Sequence, residues 1–375
     1  MLDRAQLLKA FQEISSHLFQ DTSHAQNIAR TMWEMISDDP LFIHKIKSAN
    51  APWILPTWDG SLSAVFDASL SLPSYQVAAV DGSQVYPDRH QGVGCYLLNV
   101  GEIHLSYGFE ISSMRAQTHP YVFTLYDDDT GIAQTVDMIN AKREAYELDA
   151  GVTLGMRLKA QNGQMPYCVL YDGSLIFWHL ESKDNALREK FLSSYLQSLE
   201  RMYQERIPMA SYISSPKSKE LVNLVRVALC NFTYEGCTAH HAVDGLVDAH
   251  IVRSYLSNTQ RTAIFYNHSP ITRFYPEHLR PCFVYLNVGR EIGRVETPSW
   301  VAQDTELLDR VVSIVANQAL KGRGYPVCLS EAHEQAVIKG PDREFFYHIL
   351  QKAGIANSRS YQVSEKALRK LRIGI

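Results

Sequence analysis

Two short apolar runs, each followed by Asp-Gly-Ser, are the most regular feature of the chain. Residues 76–80 are apolar apart from one glutamine and precede Asp81, and residues 167–171 are apolar throughout and precede Asp172. A five-residue apolar run bounded by a turn signal is typical of a buried strand. The pattern therefore predicts two strands that each end at a carboxylate.

The segments between these runs predict how the two strands are connected. Residues 95–108 and 121–126 read as extended segments, and residues 135–158 form a long helix. A strand, a meander, a helix and a strand is the order that a ribonuclease H-like sheet requires, with its first and fourth strands adjacent and parallel. We therefore predict the α/β class: a ribonuclease H-like mixed sheet flanked by helices, with an N-terminal helical segment and strand and helix insertions. Asp81 and Asp172 would then meet at one edge of the sheet.

The flanking regions predict further helices and strands. Residues 1–48 read as two helices, and residues 51–75 as a connector around one short helix. In the second half we expect helices over 184–204, from about 219 and over 300–320. We expect strands over 262–267, 282–288, 292–298 and 326–329, the last of them followed by a helix that Ser330 opens.

Composition excludes several classes of protein. The 375 residues carry 36 Lys+Arg against 40 Asp+Glu, and 46% of them are hydrophobic, which is ordinary for a globular protein and unlike a disordered or collagen-like chain. The net charge of −4 argues mildly against a general nucleic-acid coat. The six cysteines form no CxxC pair, so we expect buried thiols and neither a zinc site nor a disulfide. With no signal peptide and no membrane span in the sequence, we expect a cytoplasmic protein.

Carboxylates suggest metal chemistry. Asp81 and Asp172 could coordinate Mg²⁺ or Mn²⁺, since such ions prefer carboxylate oxygens, and two ions about 4 Å apart can activate a water and stabilise a leaving phosphate oxygen. The alternative is that each Asp-Gly only makes a turn. The helix over 135–158 adds Glu144 and Glu147, which are three residues apart and so lie on roughly one face. The alternative for these two is a solvated helix face.

Other residues could bind metal or phosphate. His333 lies at the start of a helix, where a neutral imidazole can ligate a metal or transfer a proton, although many such histidines are plain surface residues. Four basic residues could contact a nucleic-acid backbone or could simply be solvated: Lys217, Lys219, Arg261 and Arg294. No phosphate-binding GxxxxGK[ST] or GxGxxG motif is present in the sequence.

From about Gln76 to Leu350 the sequence resembles the NurA nuclease family. The matching segments are, in order, VAAVDGSQVYPD, KREAYEL, CVLYDGSL, SYISSPKSKELVNLVR, FVYLNVGREIGRVETPSW, GYPVCLSEAHEQAVI and DREFF. Each segment is weak alone, but their order and spacing are specific. The resemblance implies domains at 1–70 (N-terminal helical segment and connector), 71–350 (NurA-type nuclease domain) and 351–375 (basic C-terminal tail).

The resemblance also implies an activity. Family members are Mn²⁺- or Mg²⁺-dependent deoxyribonucleases with single-strand endonuclease and 5′→3′ exonuclease activity. They act as homodimers with a hexameric HerA-type translocase ATPase in DNA end resection. Two alternatives stay open from the sequence: a NurA-like subunit that binds DNA ends or the translocase without cutting, and an enzyme that acts on RNA or RNA–DNA hybrids.

Carried over by motif, the resemblance assigns the metal-binding residues one by one. It implies that Asp81, Asp172 and His333 bind the ions. It places the helical glutamate in KREAYEL, where we prefer Glu147 and keep Glu144 as the alternative. It also implies that Tyr325 is an active-site residue.

Overall fold

The computed structural model describes residues 2–18, 21–70, 72–88, 94–108, 112–126, 134–161 and 165–356. Most of the predicted basic tail over 351–375 lies outside these residues. The helices within the described ranges are α1 (Arg4–Leu18), α2 (Ser23–Ser37), α3 (Phe42–Ser48), α4 (Val136–Gln161), α5 (Asn185–Gln204), α6 (Glu220–Leu229), α7 (Asp248–Val252), α8 (Ser299–Ala302), α9 (Thr305–Lys321), α10 (Val327–Ala336) and α11 (Gly340–Ala356).

The strands belong to one mixed sheet. They are β1 (Thr57–Trp58), β2 (Val65–Asp67), β3 (Tyr75–Val85), β4 (Cys95–Tyr107), β5 (Ser113–Thr124), β6 (Tyr167–Asp172), β7 (Met209–Ile213), β8 (Gln260–Thr262), β9 (Phe265–Tyr266), β10 (Pro281–Asn287) and β11 (Ile292–Pro298). The order across the sheet is β1-β9-β10-β11-β7-β6-β3-β4-β5, with β2 and β8 attached beside β10.

The predicted parallel pair is confirmed. β3 pairs with β6 in parallel from Gln76 opposite Tyr167 to Val80 opposite Tyr171, while β3, β4 and β5 form an antiparallel meander. β7 extends the parallel part on the other side of β6. The order β7-β6-β3-β4-β5 is that of a ribonuclease H-like sheet, and the central strands are almost wholly buried, as parallel strands covered on both faces must be.

Helices α4 and α10 cover opposite faces of β3 and β4. A side chain at Gly82 would overlap Glu147 of α4, whereas one at Gly101 would come within 2.6 Å of the backbone of α10. Asp81 and Gly101 are opposite in register, so they point to the same face, and Gly82 points to the other. Asp81 therefore faces α10, while α4 packs on the opposite face of the sheet at the same end of β3.

A second apolar core lies at the other end of the sheet. There α2 and α3 bury Trp33 and Phe42 against α6, α7 and the strands β9 to β11. Residues 1–48 form three helices and not the predicted two, because a turn around Pro40 separates α2 from α3. The predicted short helix in residues 51–75 is wrong, since the described part of that segment forms β1 and β2.

Two further predictions of local structure are wrong. The helix predicted over 300–320 is two helices, because the Asp304 side chain caps α9 by accepting from the Leu307 N–H at 3.0 Å. Residues 326–329 are not a strand but lead into α10, whose first turn follows Pro326, a residue well suited to a helix start.

The cysteine prediction also needs correction. Cys230 and Cys237 form a disulfide, because the chain reverses after α6 through Asn231 and Phe232, which both have positive φ. Cys168, Cys282 and Cys328 are buried free thiols, as expected. No helix in the described ranges combines the length and apolar character needed to cross a membrane.

Candidate active site

Asp81 and Asp172 lie next to each other in the sheet register. Asp81 follows Val80 in β3, Asp172 follows Tyr171 in β6, and Val80 and Tyr171 are parallel partners. The side chain of Asp81 is 18% exposed, so it opens to a cleft without being fully solvated. The two carboxylates that the sequence predicted at one sheet edge are therefore brought together there.

The rest of each Asp-Gly-Ser triplet holds these carboxylates in place. The Ser83 hydroxyl donates to the Ala336 carbonyl of α10, and the Ser174 hydroxyl donates to Glu296 at 2.8 Å. Gly82 leaves room for Glu147 beside the strand, whereas Gly173 has φ +93°, a conformation that favours glycine. The same motif therefore has two different local structures: the first triplet lies within β3, and the second forms a turn after β6.

His333 reaches Asp81 from α10. Its Nδ1 atom lies 2.8 Å from Asp81 Oδ2, and its side chain is 64% exposed. Asn99 of β4 donates to the Ala336 carbonyl at 2.9 Å, which fastens the end of the same helix to the sheet. The structure therefore places the imidazole predicted from sequence at the predicted carboxylate.

Glu147 reaches the same strand end from α4. Its Oε1 atom lies 3.2 Å from Arg143 Nε, and Arg143 also donates to the Gly82 carbonyl at 3.0 Å. The pKa of Glu147 is raised to about 8, chiefly by burial; Arg143 lowers it, and the negative charges of Asp81, Glu144 and Asp172 raise it. Three acidic groups thus meet at one strand end, with Asp172 exposed and Asp81 and Glu147 partly buried.

Glu144 lies one turn earlier on α4 and faces a different part of the cleft. Its Oε2 atom is 3.2 Å from His179 Nε2. Burial raises the pKa of Glu144 to about 7, and a hydrogen bond with Tyr195 lowers it in part. The charges of Asp81 and Asp172 raise the pKa of Glu147, and a side chain at Gly82, the residue after Asp81, would overlap Glu147, so Glu147 is the glutamate that faces the aspartate pair.

Tyr325 contacts the second aspartate. Its hydroxyl hydrogen-bonds Asp172, which lowers the pKa of that carboxyl, while desolvation at the cleft wall raises it by more. The ring of Tyr325 packs edge-on against Tyr212 with centroids 5.8 Å apart. The predicted tyrosine is therefore held against Asp172 by the sheet.

A buried ionic network supports the second triplet. Glu296 is 1% exposed, and its Oε2 atom accepts from the Ser174 hydroxyl and from the Leu175 N–H, both at 2.8 Å. Its Oε1 atom accepts from Arg294 Nε at 2.8 Å, and Arg294 NH1 lies 2.8 Å from Glu220. Residues far apart in sequence thereby fix the turn that follows Asp172.

The carboxylates line a cleft of about 670 Å³. Sequence reasoning did not assign a role to several other lining residues, namely Gln84, Tyr86, Asn140, Arg143, His179 and Lys183. Arg143 could have been found, because it precedes Glu147 by four residues and so shares its helix face. His179 and Lys183 carry no such signal, since a short 3₁₀ turn and a loop bring them to the cleft.

The four basic residues predicted to contact nucleic acid divide into two pairs. Lys217 and Lys219 are exposed and border a groove of about 540 Å³. Arg261 and Arg294 are each 2% exposed and ion-paired, Arg261 to Asp309 at 2.7 Å and Arg294 to two glutamates. The prediction that these two arginines contact DNA is therefore wrong, because buried guanidinium groups with carboxylate partners do not reach a phosphate backbone.

The donor set of the cleft suits a hard divalent cation. Asp81, Asp172 and Glu147 offer carboxylate oxygens and His333 offers an imidazole nitrogen, ligand types that Mg²⁺ and Mn²⁺ accept. Glu147 Oε1 is buried and makes no hydrogen bond within the described residues, although Arg143 is near. A buried carboxylate oxygen without a hydrogen-bond donor is consistent with a site built for a cation.

Comparisons with known proteins place these observations in a family. The NurA domain matches residues 75–338. A search of curated proteins gives no match. Among solved structures, a crystal structure of NurA is 10% identical over 92% of this chain and 97% of that chain, with a TM-score of 0.40. NurA with manganese is 11% identical over 86% and 95%, with a TM-score of 0.34. NurA bound to dAMP and manganese is 12% identical over 82% and 91%, with a TM-score of 0.35.

Proposed function

Because this chain belongs to the NurA family, we propose that it is a divalent-metal-dependent deoxyribonuclease that hydrolyses phosphodiester bonds in the cleft of Asp81, Glu147 and Asp172. The observation that carries the proposal is the meeting of three carboxylates and His333 at one sheet edge from four separate elements. NurA proteins have been solved with manganese and with dAMP and manganese. The proposal gives this chain the same class of ligands.

In this proposal Asp81, Asp172, Glu147 and His333 hold Mn²⁺ or Mg²⁺. When bound, such ions supply an activated water and neutralise charge on the leaving 3′-oxygen. Glu147 is the helical ligand and Glu144 is not, since Gly82 gives Glu147 the direct approach to the aspartate strand. Glu144 instead pairs with His179 at the far side of the cleft.

We propose two ions and not one. The proposal rests on the chemistry, since two ions about 4 Å apart can both activate a water and stabilise the leaving oxygen. Three carboxylates and an imidazole from four elements supply enough donors to share between them.

The remaining residues of the cleft orient the metal-binding side chains. Arg143 offsets the charge of Glu147 and fixes the Gly82 carbonyl, so it holds helix and strand in register. The hydroxyl of Tyr325 hydrogen-bonds Asp172 and so orients its carboxylate. Because a bound ion would supply the activated water, the proposal assigns no protein side chain as a general base.

We propose that single-stranded DNA leaves the cleft over Trp178 toward Lys217 and Lys219. Trp178 is 37% exposed and borders the groove of these lysines, and the next residue, His179, lines the cleft. An aromatic ring next to lysines suits a stacked base with its phosphate. The overall charge of −4 then does not oppose DNA binding, because contact is local and assisted by metal.

From family membership alone, we propose a wider context. The enzyme would combine single-strand endonuclease and 5′→3′ exonuclease activity and act as a homodimer with a hexameric HerA-type translocase ATPase in DNA end resection. Residues 71–350 would form the nuclease domain, and residues 1–70 an N-terminal helical segment. Part of that segment packs on the second core through Trp33 and Phe42.

Replacement of either aspartate tests the proposed function. We expect Asp81→Asn and Asp172→Asn to lower Mn²⁺-dependent cleavage of labelled single-stranded DNA at least about a hundredfold, while circular dichroism shows an intact fold. Asp149→Asn is the matched control, because Asp149 lies on the same helix as Glu147 but pairs with Arg201 outside the cleft. Full activity in either aspartate variant would refute the site. Cleavage of RNA or hybrid in preference to DNA would refute the substrate.

A further inference from the structure

The loop after α6 brings two cysteines and a histidine together. Cys230 ends α6, Cys237 lies seven residues later, and the structure joins their sulfurs in a disulfide. His240 Nδ1 lies 3.8 Å from Cys230 Sγ. The ligand atoms of all three residues lie within 4.8 Å of one another. Among the described His, Cys, Asp and Glu residues, no other three side chains come so close.

The arrangement fits a tetrahedral thiolate site. Zinc bonds of about 2.3 Å to sulfur and about 2.0–2.1 Å to nitrogen place those two ligands about 3.6 Å apart in a tetrahedron. The distance of 3.8 Å between Cys230 Sγ and His240 Nδ1 is close to that value. The three ligands also come from one loop with a Cys-x₆-Cys-x₂-His spacing, so no distant element must move to assemble them.

The surroundings shield one side of the cluster. Cys230 is 7% exposed, and the rings of Trp53 and Tyr234 pack on His240 with centroids 5.2 and 5.7 Å away. The ring of His241 packs against that of His240 with centroids 4.1 Å apart and planes tilted by 34°. These rings hold the imidazole in one orientation, as the groups around a metal-binding histidine do, while Cys237 and His240 themselves are half-buried.

We propose that these residues form a zinc site when the disulfide is reduced, with Cys230 and Cys237 as thiolates, His240 through Nδ1, and a fourth position open to solvent. A dithiol reductant first donates two electrons and two protons to the sulfur–sulfur bond, which yields two thiols and leaves the reductant as a disulfide. Zn²⁺ then binds with release of both thiol protons and without further redox change. The disulfide and the zinc form exclude each other.

Such a site would fasten the loop to the groove beside the nuclease cleft. Trp53 contacts His240 on one side and lines the groove of Lys217 and Lys219 on the other. Zinc would therefore fix the wall of that groove. This role is separate from the carboxylate cleft, which contains no cysteine among its lining residues.

Cobalt provides a direct test on the full-length chain. The protein is reduced with dithiothreitol without oxygen, stripped with EDTA, separated from both reagents, and titrated with Co²⁺. We expect one Co²⁺ per chain to produce thiolate-to-cobalt charge-transfer absorption in the near ultraviolet, and Zn²⁺ to abolish it. Oxygen and nitrogen ligands of the catalytic cleft give no such band, so the readout does not depend on nuclease activity.

Variants assign the band to these residues. We expect Cys237→Ser to abolish the band and His240→Ala to weaken Zn²⁺ binding at least about tenfold. Cys95→Ser, which removes a half-buried free thiol elsewhere, should leave both unchanged. The proposal is overturned if the reduced wild type shows no band, if Cys237→Ser keeps it, or if the disulfide persists after reduction.

Discussion

Glu296 offers a sharp test of how the fold positions the cleft. The substitution Glu296→Gln keeps the size of the side chain and removes its charge. In the wild type the carboxylate accepts three hydrogen bonds at 2.8 Å, from Arg294, Ser174 and the Leu175 N–H, and it is 1% exposed. An amide has one oxygen and one NH₂ group, so at least one of these buried donors must face another donor.

The size of the effect follows from that count. A buried donor left without its acceptor costs about 1–3 kcal/mol, and hydrogen bonds to a charged group are stronger than neutral ones. Glu220 still pairs with Arg294, which limits the loss from the missing charge. We therefore expect Glu296→Gln to lower the free energy of unfolding by about 2–4 kcal/mol.

The same change should reduce activity through Asp172. Ser174 and Leu175 follow Asp172 after a single glycine, so release of this turn shifts the carboxylate within the cleft. Displacements near 1 Å can lower catalysis about a hundredfold. We expect a loss of about ten- to a hundredfold in the turnover number for single-stranded DNA.

Denaturant unfolding followed by circular dichroism, together with a nuclease assay, checks both expectations. Ser174→Ala is the comparison variant, because it leaves the charge of Glu296 in place and removes only the bond from Ser174 to Glu296 and the one that Ser174 accepts from the Ile176 N–H at 3.0 Å. It should cost about 1–3 kcal/mol. If Glu296→Gln unfolds within about 0.5 kcal/mol of the wild type and keeps full activity, this network does not hold the second triplet.

Three further changes test other parts of the molecule. Glu147→Gln should abolish Mn²⁺-dependent cleavage, whereas Glu144→Gln should retain at least about a tenth of it, and equal losses in the labelled-oligonucleotide assay would contradict our choice of helical ligand. Lys217→Ala combined with Lys219→Ala should weaken single-stranded DNA binding, with the slope of log affinity against log salt falling by about 1.4, while an unchanged slope in fluorescence titrations would exclude both lysines from the DNA path. Burial and Glu220 raise the pKa of Asp248 to about 7, so the folded state keeps a proton that the unfolded state has lost, and wild-type stability should fall as the pH rises from about 4 to 7. Asp248→Asn should flatten that fall in denaturant unfolding at a series of pH values, and identical pH profiles would contradict the assignment.

The charges of the cleft link the proposed metal binding to the protonation of Glu147. Glu147 lies near Asp81 and Asp172 where burial already disfavours ionisation. Without a cation, these charges favour the protonated form of Glu147, and Arg143 opposes them only in part. In our proposal, cation binding favours the ionised carboxylate and so offsets the cost of burying it.

The sequence by itself determined the frame of the site. Two apolar runs that end in Asp-Gly-Ser, with a long helix between them, predicted parallel neighbours and two carboxylates at one edge, and the register of β3 and β6 confirmed it. The helix pattern reduced the third acid to Glu144 or Glu147. These inferences succeeded because strand and helix periodicity is local, so side-chain direction follows from the backbone alone.

The tertiary structure decided what local periodicity does not encode. Arg261 and Arg294 looked like surface cations, yet distant carboxylates pair with them in the interior. Glu147 was separated from Glu144 only by its approach to Gly82, on a strand some 60 residues away. Cys230 met Cys237 because a turn with positive φ reversed the chain. In each case the packing of helices and strands determines which residue becomes the partner. Burial and pairing depend on atoms from other parts of the chain, which no short window of sequence contains.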